Sequence, residues 1–453
     1  MIDRDRLRRL HVRERERFTA AHPRSAELFR RASEHMPHGV PMSWMAKWPG
    51  DFPVVVTAAS GAHFTDVDGQ EYIDFCLGDT GAMAGHSPVP TVQAVTASLP
   101  HGITTMLPSA AAIDVSTGLT ERFGLPFWQY TLSATDANRH AIRYARALTG
   151  RHRIVVHDFC YHGSVDEAFG TLDHTGRTVN RPSTIGPPVD VAQTTIVVPF
   201  NDVDALATAL ATGDVAAVLM EPALTNIGIV LPDAGYHDAV RELCTRHGAL
   251  LIIDETHTIC AGPGGYTAAH RLAPDLLVIG KAIGGGIPCG AFGMTAEVAA
   301  RVEKVTDLPD IDVGGIGGTL AGNALSMTAM AATLVSVLTP QAFQRMIPLA
   351  GRWADGVQAA INEHGVPWHV TRLGCRAEYG FAALPPRDGA QAAASDDFEL
   401  QQFLHLYALN RHILLTPFHN MALMCPATTA EDVDAHTEVF RRCLAELTGR
   451  APE

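Results

Sequence analysis

A lysine directly behind an apolar run, Leu276-Leu277-Val278-Ile279-Gly280-Lys281, is a group that can do carbonyl chemistry. Burial near the end of a strand penalises its charged form and favours an amine that attacks carbonyl carbons. The glycines that follow, Gly284-Gly285-Gly286, leave room for backbone to approach a bulky ligand. A second apolar run, Ala249-Leu250-Leu251-Ile252-Ile253, ends in Asp254-Glu255. A carboxylate at such a strand tip can keep a ring nitrogen protonated, which the pyridine of pyridoxal phosphate (PLP) needs to act as an electron sink. Taken singly, Lys281 also fits a surface lysine in a glycine loop, and Asp254 a helix N-cap or a metal ligand.

Two more segments add to the constellation. Leu132-Ser133-Ala134-Thr135-Asp136-Ala137-Asn138 precedes a helical run at 139–148. The N–H groups of a helix start and the positive end of its dipole favour an anion, which suits a phosphate and equally suits plain capping. Cys160-Tyr161-His162-Gly163 follows the run at 153–157. Its aromatic can lie flat on a cofactor ring with glycine leaving space beside it, or can belong to the core.

The elements that must position these residues show in the hydrophobic pattern. Between about 85 and 325, apolar runs at 153–157, 195–199, 216–220, 249–253 and 276–279 alternate with helix-length stretches such as 202–211 and 236–247. That alternation predicts an α/β fold with a mainly parallel sheet covered by helices on both faces. A stretch at 173–191, rich in Pro, Gly and Thr, reads as a surface loop. Residues 1–50 read as a helical arm and an irregular segment, and 62–75 as a hairpin about an Asp-Gly turn. After 330 the pattern becomes helix (329–338, 341–364), strands near 366–383, then helix and strand again. The expected organisation is an arm and hairpin at 1–75, a large ligand-binding domain at 76–328, and a smaller α+β domain at 329–453 that the hairpin joins.

Composition narrows the partners. The 453 residues carry a formal net charge of −14, which would repel a nucleic-acid backbone. The basic stretch 4–17 is interleaved with acids and reads as an exposed helix with local ion pairs. No apolar run is long enough to span a bilayer. Eight scattered cysteines without a CxxC pair fit reduced thiols and a cytoplasmic location. The 22 histidines follow no metal-binding spacing, so no metal is expected. Neither a Walker P-loop nor a GxGxxG after a strand points to a nucleotide enzyme.

Longer motifs tie these pieces together: Gly280-Lys281-Ala282-Ile283-Gly284-Gly285-Gly286-Ile287-Pro288-Cys289-Gly290-Ala291-Phe292-Gly293, Gly318-Thr319-Leu320-Ala321-Gly322-Asn323, Asp66-Val67-Asp68-Gly69 with Tyr72-Ile73-Asp74, and Gly85-His86 with Pro88. With them the chain resembles the class III aminotransferases of PLP fold type I, in particular the branch of glutamate-1-semialdehyde aminomutases and β-amino-acid transaminases. The resemblance carries motifs over about 35–330. It implies a seven-stranded sheet, PLP as cofactor, small-molecule substrates and an obligate homodimer with shared sites. It also implies that Lys281 forms the Schiff base and moves the proton, that Asp254 pairs with the pyridine nitrogen, and that Tyr161, with His162 beside it, and Thr256 flank the ring. Ser133, Ala134 and Thr135 would cradle the phosphate, Thr319 would reach the phosphate of the neighbouring subunit, and Glu221 would support the cofactor face.

The chain also departs from that family's pattern. Alanine stands at 134 where glycine is usual, and Thr256-His257 brings a hydroxyl and an imidazole near the ring, with His257 either supporting the site or touching substrate. Pro41-Met42-Ser43-Trp44-Met45 lacks the arginine that often grips a substrate carboxylate, and Thr416-Pro417-Phe418-His419 lacks another. Met42, Trp44 and Met45 are therefore expected to line an apolar substrate side, with His419 nearby. Arg376 could replace the missing fork or be a surface residue. The expected activity is a ping-pong transaminase. The alternatives are an intramolecular 2,1-aminomutase and a PLP-fold binding protein without catalysis, which the presence of both Lys281 and Asp254 disfavours.

Overall fold

The computed structural model describes residues 2–182, 184–307 and 314–449. The chain forms two compact units, one from the residues up to Ser87 with Gln344–Pro385 and the chain from Ser395 on, the other from Pro88–Phe343 with Pro386–Ala394.

The second unit holds a seven-stranded sheet. Its strand order is Phe127–Thr131, Gly290–Met294, Leu276–Gly280, Leu250–Asp254, Val215–Met220, Arg153–His157 and Thr195–Val198. Gly290–Met294 runs antiparallel to both neighbours, and the pairs from Leu276–Gly280 to Thr195–Val198 are parallel. Every residue of Val215–Met220, Leu250–Asp254 and Leu276–Gly280 is buried. Strands covered on both faces need continuous apolar sequence, which is why they read as unbroken runs. Helix Ala134–Thr149 buries Ala137, Ala141, Ile142, Tyr144 and Ala145 in the same core as these strands.

Three details differ from the sequence reading. Two strands, Phe127–Thr131 and Gly290–Met294, join the sheet beyond the five apolar runs. The segment at 173–191 is not all loop: Thr178–Asn180 pairs with Gly170–Leu172, and Asp173 closes the turn by accepting from Thr175 N and Arg177 N. The helix placed in the C-terminal domain, Ala324–Ser336, packs instead on Val89–Ser98 and Ala111–Phe123 of this unit. A hydroxyl pair, Thr91 with Thr333 at 2.8 Å, joins two of them.

The first unit contains a four-stranded sheet in the order Val56–Ser60, His63–Asp66, Glu71–Asp74 and Ile413–Leu414. A three-stranded antiparallel sheet joins His369–Leu373, Arg376–Gly380 and Met421–Leu423. Phe18, Phe52, Phe64, Tyr72, Leu406 and Leu409 form one core, with Phe64 and Tyr72 stacked at 4.7 Å. The helix Arg4–Ala21 exists as expected, but its charges are not mainly paired locally. Arg4 meets Asp397, Arg8 meets Glu399, and buried Glu14 accepts from Arg411 at 3.0 Å and Asn410 at 2.8 Å. A local spacing rule misses such pairs because the partners lie elsewhere in the chain. Among the described residues, no single helix is long and apolar enough to cross a membrane.

Candidate active site

Three strand ends at one edge of the seven-stranded sheet carry or precede ionisable side chains. Glu221 follows Val215–Met220, Asp254 ends Leu250–Asp254, and Lys281 follows Leu276–Gly280. In open α/β sheets, ligands bind beyond the carboxyl ends of the strands, where backbone groups are left for them.

Asp254 is buried and fully engaged. Its Oδ2 accepts from His162 Nδ1 at 2.9 Å and Asn138 Nδ2 at 2.8 Å, and its Oδ1 from Thr256 N at 3.0 Å. Burial opposes charge on both Asp254 and His162. Their contact overcomes it, holding the Asp254 carboxyl below the usual carboxylate range. His162 sits above the usual imidazole range, against its burial, with Cys160 and Asp254 beside it. His162 therefore acts through Asp254, a role that its place in the Tyr161-His162-Gly163 motif did not reveal. Asn138, which also donates to His162 O at 3.1 Å, was missed as a site residue. Its spacing of one helical turn from Ala134 was the available signal, because such residues share a helix face.

The start of helix Ala134–Thr149 lies against the same edge. Ser133 caps it, accepting from Asp136 N at 3.2 Å, so its hydroxyl is committed to the helix. The N–H groups of Ala134 and Thr135 belong to the first turn, which has no carbonyl one turn earlier to accept from them. Missing side chains allow the close approach. A Cβ on Gly280 would lie 3.0 Å from Ala134 Cβ, and one on Gly290 would lie 2.4 Å from Ser133 O. Glycine at 280 thus admits the helix start. Gly163 is more constrained still, with φ +78 and a notional Cβ 2.1 Å from Thr135 Oγ1. Gly163→Ala is expected to cost about 1–2 kcal/mol from the left-handed backbone alone. The collision with Thr135 adds to this and disturbs the helix start. Thermal unfolding and cofactor retention through dialysis check it, and a variant matching wild type in both would remove the constraint.

Lys281 is partly buried and has φ 51, a left-handed conformation that a side chain adopts at a cost. Its Nζ lies 2.8 Å from His257 Nε2. Glu221 is buried, and burial pushes its carboxyl up. Tyr161 N donates to it at 3.3 Å, Thr225 N donates at 3.1 Å, and the Thr225 hydroxyl donates as well. The Tyr161 ring is exposed and Thr256 is buried. Thr319 lies exposed in a turn of the same unit. Glu255, also missed, is buried, which pushes its carboxyl up, and it accepts from Thr258 Oγ1 at 2.6 Å and from Tyr266 N at 3.1 Å.

The remaining candidates belong to the first unit. Met42, just before the short helix Ser43–Lys47, and Trp44 within it are exposed, and Met45 is half-buried. Trp44 meets Phe418 edge-on at 6.3 Å, and Lys47 Nζ lies 5.7 Å from the Phe418 ring centre. Arg376 is not a surface residue: it is fully buried, with Nη2 donating to Glu378 Oε2 at 3.1 Å. Alternate residues of a strand share a face, so the carboxylate at 378 accompanies the guanidinium inward. His419 Nδ1 lies 3.5 Å from Glu378 Oε1.

The donor set of the second unit fits PLP. An amine that can bond a carbonyl carbon, a buried carboxylate suited to a protonated ring nitrogen, and a helix start suited to a phosphate meet at one sheet edge. The comparisons agree. The chain is 49% identical, with a TM-score of 0.97 over 98% of this chain and 99% of the other, to the crystal structure of a glutamate-1-semialdehyde-aminomutase from Pseudomonas aeruginosa PAO1 in complex with PMP. It is similar, at 29% identity and a TM-score of 0.84, to an omega-transaminase from Sphaerobacter thermophilus, covering 94% of this chain and 98% of that one. In sequence it is 33% identical to a glutamate-1-semialdehyde 2,1-aminomutase of Anaeromyxobacter dehalogenans, over 93% of this chain and 98% of the relative. The family model described as Aminotransferase class-III matches residues 44–378, spanning the helix start, Asp254 and Lys281. The chain belongs to the class-III aminotransferases, PLP-dependent enzymes of fold type I.

Proposed function

We propose that this enzyme moves an amino group between adjacent carbons of a single 2-amino aldehyde, as a 2,1-aminomutase does. The observation that carries the proposal is the 49% identity, over nearly the whole length of both chains, to the Pseudomonas aeruginosa aminomutase. PLP, when bound, supplies an electron sink for the carbon that loses its proton. Lys281 Nζ would hold the cofactor's carbonyl carbon, and its amine would carry a proton from one substrate position to the next. Asp254, kept ionised by His162 and Asn138, keeps the ring nitrogen protonated. Ala134 and Thr135 present their N–H groups to the phosphate at a helix start ordered by the Ser133 cap. Tyr161 and Thr256 would flank the ring, and Glu221 would support the cofactor face. In a homodimer, Thr319 would reach the phosphate of the neighbouring subunit. Eight free, buried cysteines support a cytoplasmic setting.

A second reading, an intermolecular transaminase, is favoured by one observation. Exposed Met42 and Trp44, with Phe418 against Trp44, offer apolar surface in a segment that holds no arginine. Hydrophobic amines would then serve as donors. Glutamate-1-semialdehyde supplied alone separates the two. Conversion to the isomer with the amino group on the terminal carbon, without any acceptor, is expected. Turnover that requires a separate amine donor and carbonyl acceptor would replace the mutase reading with the transaminase one.

A further inference from the structure

His257 lies in direct contact with Lys281. Nζ and Nε2 lie 2.8 Å apart. A lysine ammonium has donors and no acceptor, and an imidazolium likewise has only N–H groups to offer. Two such cations cannot share a hydrogen bond, so at least one partner is neutral whenever the contact is made. Either a neutral imidazole accepts from the ammonium, or Nε2–H donates to the free amine. Both arrangements hold the Nζ proton or its lone pair on the line between the two side chains.

Both ends of the contact are anchored. Lys281 leaves its strand in a left-handed conformation, φ 51, which fixes where the side chain begins. His257 precedes the short helix Thr258–Ala261. On one side Asp254 Oδ1 accepts from Thr256 N at 3.0 Å. On the other, Glu255 accepts from Thr258 Oγ1 at 2.6 Å, from Tyr266 N at 3.1 Å and from Thr267 N. Two adjacent carboxylates at one strand end thereby tie the loop on both sides of the imidazole.

We infer that His257 is a positioning residue for Lys281, aiming the ε-amino group through Nε2 and so setting how readily Nζ joins and leaves a carbonyl carbon. The inference rests on Lys281 being the cofactor-bearing amine, and it holds for mutase and transaminase alike.

Hydroxylamine tests it without knowledge of the substrate. Its nitrogen replaces Nζ at the cofactor's carbonyl carbon, its two N–H protons end on Nζ, and the visible band of the holoenzyme fades as Lys281 is released. In His257→Ala holoenzyme the fading is expected to slow about 10–100-fold, the scale of losing one hydrogen bond to a charged group. His257→Gln, whose amide can reach the Nε2 position, is expected to recover most of the rate. Rescue of this kind would not follow if the imidazole merely filled space. Fading in the alanine variant as fast as in wild type, or a glutamine variant no faster than alanine, would overturn the inference while leaving the cofactor reading intact. Wild-type holoenzyme without a visible band would overturn both.

Discussion

Replacing Lys281 with alanine is expected to abolish the visible absorbance of purified enzyme and to slow amino transfer by at least about 10⁴-fold, the upper range for one acid–base group with loss of covalent attachment added. The physical case is local. The side chain starts from a strained φ of 51 behind a fully buried strand and ends against His257, and the other lysines of the sequence are Lys47 and Lys304. An absorbance spectrum and a turnover assay on the same preparation suffice. A variant that keeps the band, or loses less than about tenfold in rate, would place the cofactor on another amine, since a single positioned proton carrier already contributes about 10²–10⁴.

The next largest effect is expected from Asp254→Asn, which keeps the shape of the side chain and removes its charge. A loss of about 10²–10³-fold in kcat is expected, the scale of removing one preorganised electrostatic partner from a buried site. His162 should respond as well. Without the carboxylate, burial is less opposed and the imidazole shifts towards its neutral form. The stability consequence has a definite sign. A depressed Asp254 contributes stability above its unfolded pKa, and that is lost as pH falls through the folded value. A raised His162 contributes stability below its unfolded pKa, lost as pH rises through the folded value. The stability gap between wild type and Asp254→Asn should therefore be widest between about pH 4 and 6.5, the unfolded values of the two groups, and narrow on either side. A gap independent of pH, together with unchanged kcat, would separate Asp254 from both roles.

Much of this architecture could be read from the residues in order. The central strands were visible because parallel strands covered on both faces must be apolar throughout, and Leu250–Asp254 and Leu276–Gly280 are wholly buried. The two strands that escaped notice have local reasons. Gly290–Met294 carries two glycines, and Gly293 serves packing, since a Cβ there would fall 2.7 Å from the Trp128 ring. Phe127–Thr131 lies at the sheet edge with alternating exposure, so it shows no continuous apolar run. Arg376 misled for a related reason: an arginine is expected at the surface, and it is its strand neighbour Glu378 that makes burial tolerable.

The order of residues alone was enough for the lysine and aspartate at strand ends, the helix start at Ser133 and the family they resemble. These depend on periodicity, capping and short motifs, which act over a few residues. The tertiary structure alone joined Asn138 and His162 to Asp254, pinned Glu255 beneath its loop and set His257 against Lys281. Hydrogen-bond partners in such a site come from different strands and helices. Their meeting is decided by how the sheet stacks those elements, and no local pattern carries that information.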